Sequence, residues 1–143
     1  MPNRLSAQSL IPIYQTYHQN SGAEKLTRKV EDILERYQGG ERSFVESELD
    51  DAVYDFRGVV LEGADFAGSF ITADFRGANL RGVNFSDCNV KTCDFRNADL
   101  SGASFARSAL CSTEFTGAIL DGACFAGAFA HSYVLKENEK PFW

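Results

Sequence analysis

The sequence predicts an all-β solenoid, a square coil of short parallel segments with a helical segment ahead of it. Three observations carry this expectation. Large apolar residues recur every five positions from Phe75 to Phe125. Like returns to like every 20 positions, so that Phe75, Phe95 and Phe115 fall in one column. A small residue stands two places before each large one, as Ala73, Ala78, Val83 and Cys88 show. A period of five fits neither a helix, at about 3.6 residues, nor a strand, at about 2. It requires a repeat whose unit is one short segment and a turn, and four such units close a 20-residue circuit.

Ahead of the repeats, residues 1–41 read as helix. Leu10, Ile11, Tyr14 and Tyr17 suggest a short apolar-faced helix, with Pro12 tolerated near its start. Leu26, Val30, Ile33, Leu34 and Tyr37 then share one face of a second helix. Ser21 and Glu24 have capping-box spacing, and Gly39-Gly40 supplies the stop. Glu24/Arg28 and Asp32/Arg36 are spaced for ion pairs on its solvent side. The division expected is an N-terminal helical cap over 1–41, repeats over 42–130, and a C-terminal tail or cap over 131–143.

Within the repeats, Phe75, Phe95 and Phe115 form one column, Leu80, Leu100 and Leu120 a second, and Phe85, Phe105 and Phe125 a third. Upstream the order returns as Phe56, Leu61 and Phe66, displaced by one residue. A four-residue unit from Phe66 to Phe70 accounts for that displacement and makes Phe70, Val90, Leu110 and Ala130 the fourth column. Phe44 and Leu49 extend the third and fourth columns if two extra residues bulge out before Phe56. The 18 centres from Phe44 to Ala130 then make about four and a half circuits, roughly 20 Å of rod at ladder spacing. Gly63, Gly82, Gly102 and Gly122 fill one corner column, as a turn needing positive φ requires. The prolines, Pro2, Pro12 and Pro141, lie outside the repeats, where no ladder donor is lost. The tail either folds over the last ring or leaves it for a second rod, and a folded tail is the expectation.

The stretches "ADFRGANLRGVNF" and "NADLSGASF" resemble the A(D/N)Lxx signature of the pentapeptide repeat family over about residues 42–130. The lead-in "ILERYQGGERSF" resembles the helix-then-repeat entry of short cyanobacterial-type members. The resemblance implies a right-handed quadrilateral parallel β-helix of about four turns with an N-terminal α-helical cap. Ala109, Ile119, Cys124 and Phe129 depart from the usual Asp or Asn, which makes one end of the surface more apolar.

Function is narrowed more than it is named. The 143 residues carry a net charge of −6, which argues against a general nucleic-acid binder. Neither an apolar run of membrane length nor a charged-then-apolar leader appears, so membrane association is not expected and the cytoplasm is. No phosphate-cradling loop, nucleophile elbow or histidine-centred constellation appears, and His18 and His131 are the only histidines. The chain is therefore expected to be no enzyme and to need no cofactor or metal. Cys88 and Cys93 read as small core residues in place of alanine, with Cys111 and Cys124 outward.

The repeated "DFRG", "DFRG", "DFRN" and "EFTG" place Asp55, Asp74, Asp94 and Glu114 in one outward column beside Arg57, Arg76 and Arg96. These seven residues are the candidate partner-binding surface, against the plainer reading of a solvated, mutually compensating charge face. The expected role is a protein–protein interaction scaffold or regulator whose partner is another protein. A monomer is expected, with a dimer through the C-terminal end as the alternative. The resemblance also raises a DNA-mimic modulator of DNA gyrase, but residues 54–130 hold nine acids and six bases, a balance of only −3. An enzyme with a site between cap and rod is the remaining alternative.

Overall fold

The computed structural model describes residues 21–143. The expected helix on Leu10, Ile11, Tyr14 and Tyr17 lies outside the described residues, as does the Ser21 side chain of the expected capping box. The chain divides into two compact units between Arg42 and Ser43.

In the first unit, helix α1 spans Ser21–Gln38. Its apolar stripe is the one that the 3.6-residue period selects: Val30, Ile33, Leu34 and Tyr37 are buried, and Leu26 is partly so. The helix ends in a Schellman motif, with the Glu41 N–H donating to the Arg36 carbonyl and Gly40 to Tyr37, while Gly40 turns left-handed at φ 100°. Arg36 pairs with Asp32 at 3.2 Å and with Glu41 at 2.7 Å, and the Arg42 guanidinium lies 3.8 Å over the Tyr37 ring.

The second unit is a parallel β-solenoid. Isolated parallel bridges join Asp74 to Asp94, Asn79 to Asp99, Asn84 to Ser104 and Asn89 to Ala109, four bridges in each 20-residue circuit. The same registers continue to Glu114, Ile119, Cys124 and Phe129. Apart from the one that follows Ile71, the units share one internal logic. The central residue points inward, the residue two before it is small and also inward, and a β-turn with a left-handed third residue follows. Phe75 to Ala78 is one such turn, closed by the Ala78 N–H on the Phe75 carbonyl, with Gly77 at φ 68°.

The phenylalanines make a continuous aromatic core. Phe56, Phe75, Phe95 and Phe115 stack along one column, and Phe44, Phe66, Phe85, Phe105 and Phe125 along the next, with centroids from 5.0 to 5.7 Å apart. Rings of neighbouring columns meet edge to face, as Phe95 does with Phe85 and Phe105.

Strands β1 (Glu48–Asp55) and β2 (Phe70–Asp74) pair in parallel. Leu49 pairs with Ile71 and Tyr54 with Ala73, so the ladder is interrupted between Leu49 and Tyr54, where the extra residues before Phe56 are absorbed. One expectation is corrected here. Ile71, at 1% exposure, is the inward centre of the fourth column, whereas Phe70 is 51% exposed. Phe70 occupies the bridging position before the centre, opposite Glu48 and Asn89. The shortened unit therefore runs from Ile71 to Phe75. That unit has no left-handed residue and continues as strand, which is why it is one residue short.

At the far end, β3 (Phe129–Ala130) and β4 (Tyr133–Val134) form an antiparallel hairpin that returns the chain along the last circuit. Leu135 is buried at 1% exposure. Its carbonyl accepts from the Gly127 N–H and its N–H donates to the Ala128 carbonyl.

The corner residue is glycine at Gly82 (φ 65°) and Gly102 (φ 69°), but threonine at Thr92 (φ 63°). A β-branched side chain is poorly suited to the left-handed region, at a cost of about 1–2 kcal/mol, whereas asparagine tolerates it. Asn97 already occupies the corner five residues on. Thr92→Asn is expected to stabilise the rod by about 0.5–1 kcal/mol, read as a thermal midpoint raised by a few degrees. An unchanged or lower midpoint would show that the corner carries no strain to relieve.

Candidate functional site

The residue before each centre does structural work first. In nine units an Asp, Asn or Ser at this position accepts a hydrogen bond from the backbone N–H two residues on, from Asp55 to Arg57 through Ser104 to Ala106. This is an Asx-type turn, in which a short side chain takes up an N–H that the turn leaves over. Ala109, Ile119, Cys124 and Phe129 lack such an acceptor, and they cluster in the last circuit and a half.

On one face the same aspartates also hold arginines. Arg57 forks onto Asp55 at 2.8 and 2.9 Å, Arg76 onto Asp74 from 2.7 Å, and Arg96 onto Asp94 from 2.7 Å. Arg57 also lies 3.9 Å from Asp74, and Arg76 3.7 Å from Asp94, so the forks are linked up the column. The structure thus gathers the seven sequence-selected residues on one face. Asp55, Asp74, Asp94 and Glu114 are bridged in backbone register, and Arg57, Arg76 and Arg96 stand beside the first three. Glu114 ends the column beyond the last fork; the Asp94 fork raises the pKa of Arg96, and the Glu114 charge adds to it in smaller part.

Each aspartate is engaged by a backbone N–H and its own arginine, and Asp74 and Asp94 also face the arginine of the circuit before, which suits them poorly to a cation. The arginines are the outward groups, with side chains 40–45% exposed. Arg76 and Arg96 use Nε and Nη2 in their forks, and no acceptor among the described residues takes Nη1. The face therefore offers guanidinium donors at ladder intervals, held rigidly by carboxylates behind them.

Other faces are tied across circuits in the same way. Arg81 reaches Asp99 at 3.1 Å and Arg107 reaches Asp87 at 2.8 Å. The Arg96 fork holds the Asp94 carboxyl below the usual aspartate range, the Arg107 fork does so for Asp87, and the Ser101 hydroxyl and N–H do so for Asp99. A carboxylate held below its unfolded value contributes stability above that value and loses it as pH falls through the folded one. The urea midpoint is therefore expected to stay level from neutral pH to about 5 and to fall once pH passes below the ordinary aspartate value of 3.8. A level midpoint down to pH 2.5 would remove the charge ladder from the stability of the rod.

Cys88 and Cys93 are buried, as their inward position requires. Burial pushes the Cys88 thiol up to about 11 and Cys93 to about 12, so both stay protonated at neutral pH and are unsuited to nucleophilic attack. Each thiol donates to a carbonyl of the previous circuit, Cys88 to Phe66 and Cys93 to Ile71. Cys111 is partly exposed and Cys124 exposed.

One feature lay outside the sequence reading. Tyr133, Phe142 and Trp143 form an exposed aromatic cluster, with centroids 5.4 and 5.3 Å apart, around a hollow of about 270 Å³ that Ser112 and His131 also line. Tyr133, Phe142 and Trp143 make the tail aromatic in sequence, but only the folded tail brings the three rings together. No helix among the described residues is long and apolar enough to cross a membrane.

A family model described as pentapeptide repeats matches the chain in eight copies, over residues 55–97 and 93–129. Among solved structures the chain is similar to a pentapeptide repeat protein from Nostoc PCC 7120, at 32% identity over 71% of this chain and 85% of that one, with a TM-score of 0.49. It is similar to QnrB1, a plasmid-mediated fluoroquinolone resistance protein, at 25% identity over 55% of this chain and 42% of that one, with a TM-score of 0.45. It is also similar to a pentapeptide repeat protein from the thylakoid lumen of Arabidopsis thaliana, at 30% identity over 63% and 62% of the two chains, with a TM-score of 0.37. No curated protein matches the chain.

Proposed function

We propose, from the premise that this chain belongs to the pentapeptide repeat family, that it is a non-catalytic scaffold whose fixed surface binds another protein. The observation that carries this reading is the aspartate–arginine face. Three guanidinium groups are held by forks and repeat at ladder spacing, so a partner meets them without first ordering flexible side chains. A protein surface offering carbonyls or carboxylates in an extended row is the complement of that face.

The test is a pull-down from native extract with the unaltered chain and with Arg76→Glu/Arg96→Glu. Both substitutions leave the Asp74 and Asp94 turn acceptors in place, and circular dichroism checks the fold. Loss of captured proteins from the variant supports the face, and an identical set removes it from the account. Gyrase-directed DNA mimicry is the second reading. The arginine row and the balance of −3 over residues 54–130 weigh against it. Inhibition of supercoiling by the chain would bring it forward.

The same proposal takes the solenoid as a right-handed quadrilateral coil of about four turns. Four bridges per circuit support the square section, and parallel crossovers are strongly biased to the right hand. It also takes a monomer in a reducing compartment such as the cytoplasm, which the carbonyl-bound thiols of Cys88 and Cys93 support.

A further inference from the structure

Each inner circuit presents three backbone groups per side to the circuit that follows. On the side centred on Leu100, the Leu100 N–H donates to the Ile119 carbonyl, the Gly102 N–H to the Asp121 carbonyl, and the Ala98 carbonyl accepts from the Ile119 N–H. Leu80, Gly82 and Ala78 do the same with Asp99 and Ser101. In the last circuit the equivalent groups are the Leu120 N–H, the Gly122 N–H and the Ala118 carbonyl. None of them meets a partner among the described residues. The Leu120 side chain is only partly buried, whereas Leu80 and Leu100 are 0% exposed, and Ile119 beside it is 47% exposed. An edge of this kind is a template for another strand.

The adjoining side shows what chemistry such an edge accepts. There the protein's own tail supplies an extended residue, Leu135, whose carbonyl takes the Gly127 N–H, whose N–H meets the Ala128 carbonyl, and whose side chain is buried. The tail pairs there with Gly127 and Ala128 alone, in an antiparallel sense, and no described residue pairs with the Ala118–Gly122 side. The Phe115, Gly117 and Phe125 N–H groups also lack partners among the described residues, but the Phe115 and Phe125 rings are buried, whereas Leu120 is the centre left partly open.

We propose that this side binds an extended segment of another polypeptide as an added parallel strand. One residue of the segment donates its N–H to the Ala118 carbonyl and accepts from the Leu120 N–H. The residue two further on accepts from the Gly122 N–H. The residue between them carries a large apolar side chain over Leu120, and the one before the pair is small. This is the pattern by which Ala118, Ile119, Leu120 and Asp121 themselves cover the Ala98–Gly102 side. A second copy of the chain is a poorer occupant, because the side offers two N–H groups for one carbonyl, and two such edges together leave donors unpaired. The proposal is independent of the aspartate–arginine face, which lies on a different side.

The test uses the full chain, labelled with nitrogen-15, and a synthetic peptide of the sequence NADLSGA, copied from residues 97–103. The control peptide is N-methylated on its aspartate and cannot donate to Ala118. In the chain alone, the Leu120 and Gly122 amides are expected to exchange freely while Leu100 and Gly102 are protected. With NADLSGA in the millimolar range their exchange slows about tenfold, and with the methylated peptide it does not. The Arg76→Glu/Arg96→Glu chain is expected to respond as the unaltered one does. Three results would overturn the proposal. One is no slowing with NADLSGA, and another is equal slowing with both peptides. The third is protection in the chain alone that rises with its concentration, which would give the edge to a second copy.

Discussion

Phe95→Ala is expected to lower stability by about 3–5 kcal/mol, whereas Lys91→Ala, four residues away and exposed, should change it by no more than about 0.5 kcal/mol. Phe95 is fully buried and touches four other rings. It stacks on Phe75 at 5.1 Å and on Phe115 at 5.4 Å, and it meets Phe85 and Phe105 edge to face. Truncation removes the transfer free energy of one ring and leaves a cavity that the ladder cannot collapse, because its spacing is fixed by backbone hydrogen bonds on both sides. Each circuit touches only its neighbours, so a defect in a central circuit also weakens the coupling between the two ends. Urea unfolding of Phe95→Ala is therefore expected to show both a lower midpoint and a shallower slope. Equal midpoints for the two variants would contradict the assignment of Phe95 to the core column.

The core columns were legible because burial and winding share one period. Wherever the unit is five residues, the large residue, the small residue and the corner all announce themselves. Phe70 misled because size alone selected it. Its bulk suggested a centre, but the residue that faces inward is Ile71, and the short unit follows it. What marks that unit physically is the absence of a left-handed corner between Ile71 and Phe75, which leaves β2 extended. The candidate face was legible as two columns, and the structure brings all seven residues together. The turn-holding role of its aspartates was open to reading, since Asp, Asn or Ser fills that position in nine units, yet charge drew the attention. The unpaired last edge could not be read from sequence. It depends on which side of the final circuit the tail returns along, and that is fixed by the hairpin from Phe129 to Val134.

A quieter part of the core carries the second large effect. Ser69, Cys88, Cys93, Ser108 and Thr113 all sit at the small inward position, where the sequence reads the two cysteines as replacements for alanine. Each instead donates to a carbonyl of the circuit before. Ser108 does more: its hydroxyl donates to the Phe85 carbonyl and accepts the Cys88 N–H at 3.3 Å, so it is inserted into the turn from Phe85 to Cys88. Ser69 is placed likewise between the Phe44 carbonyl and the Ser47 N–H. Ser108→Ala strands one buried carbonyl and one N–H together, and a stranded buried group costs about 1–3 kcal/mol. The loss can be smaller only if the turn closes on itself, as Phe95 to Ala98 does at 3.1 Å. Ser108→Cys separates these cases, because the thiols of Cys88 and Cys93 already make the donor half of this contact. The expected order of urea midpoints is unaltered chain, then Ser108→Cys, then Ser108→Ala, with the alanine variant lower by about 1–3 kcal/mol. An alanine variant as stable as the unaltered chain would mean that the turn closes without its hydroxyl, and that the polar residues flanking this side fill space, as alanine would.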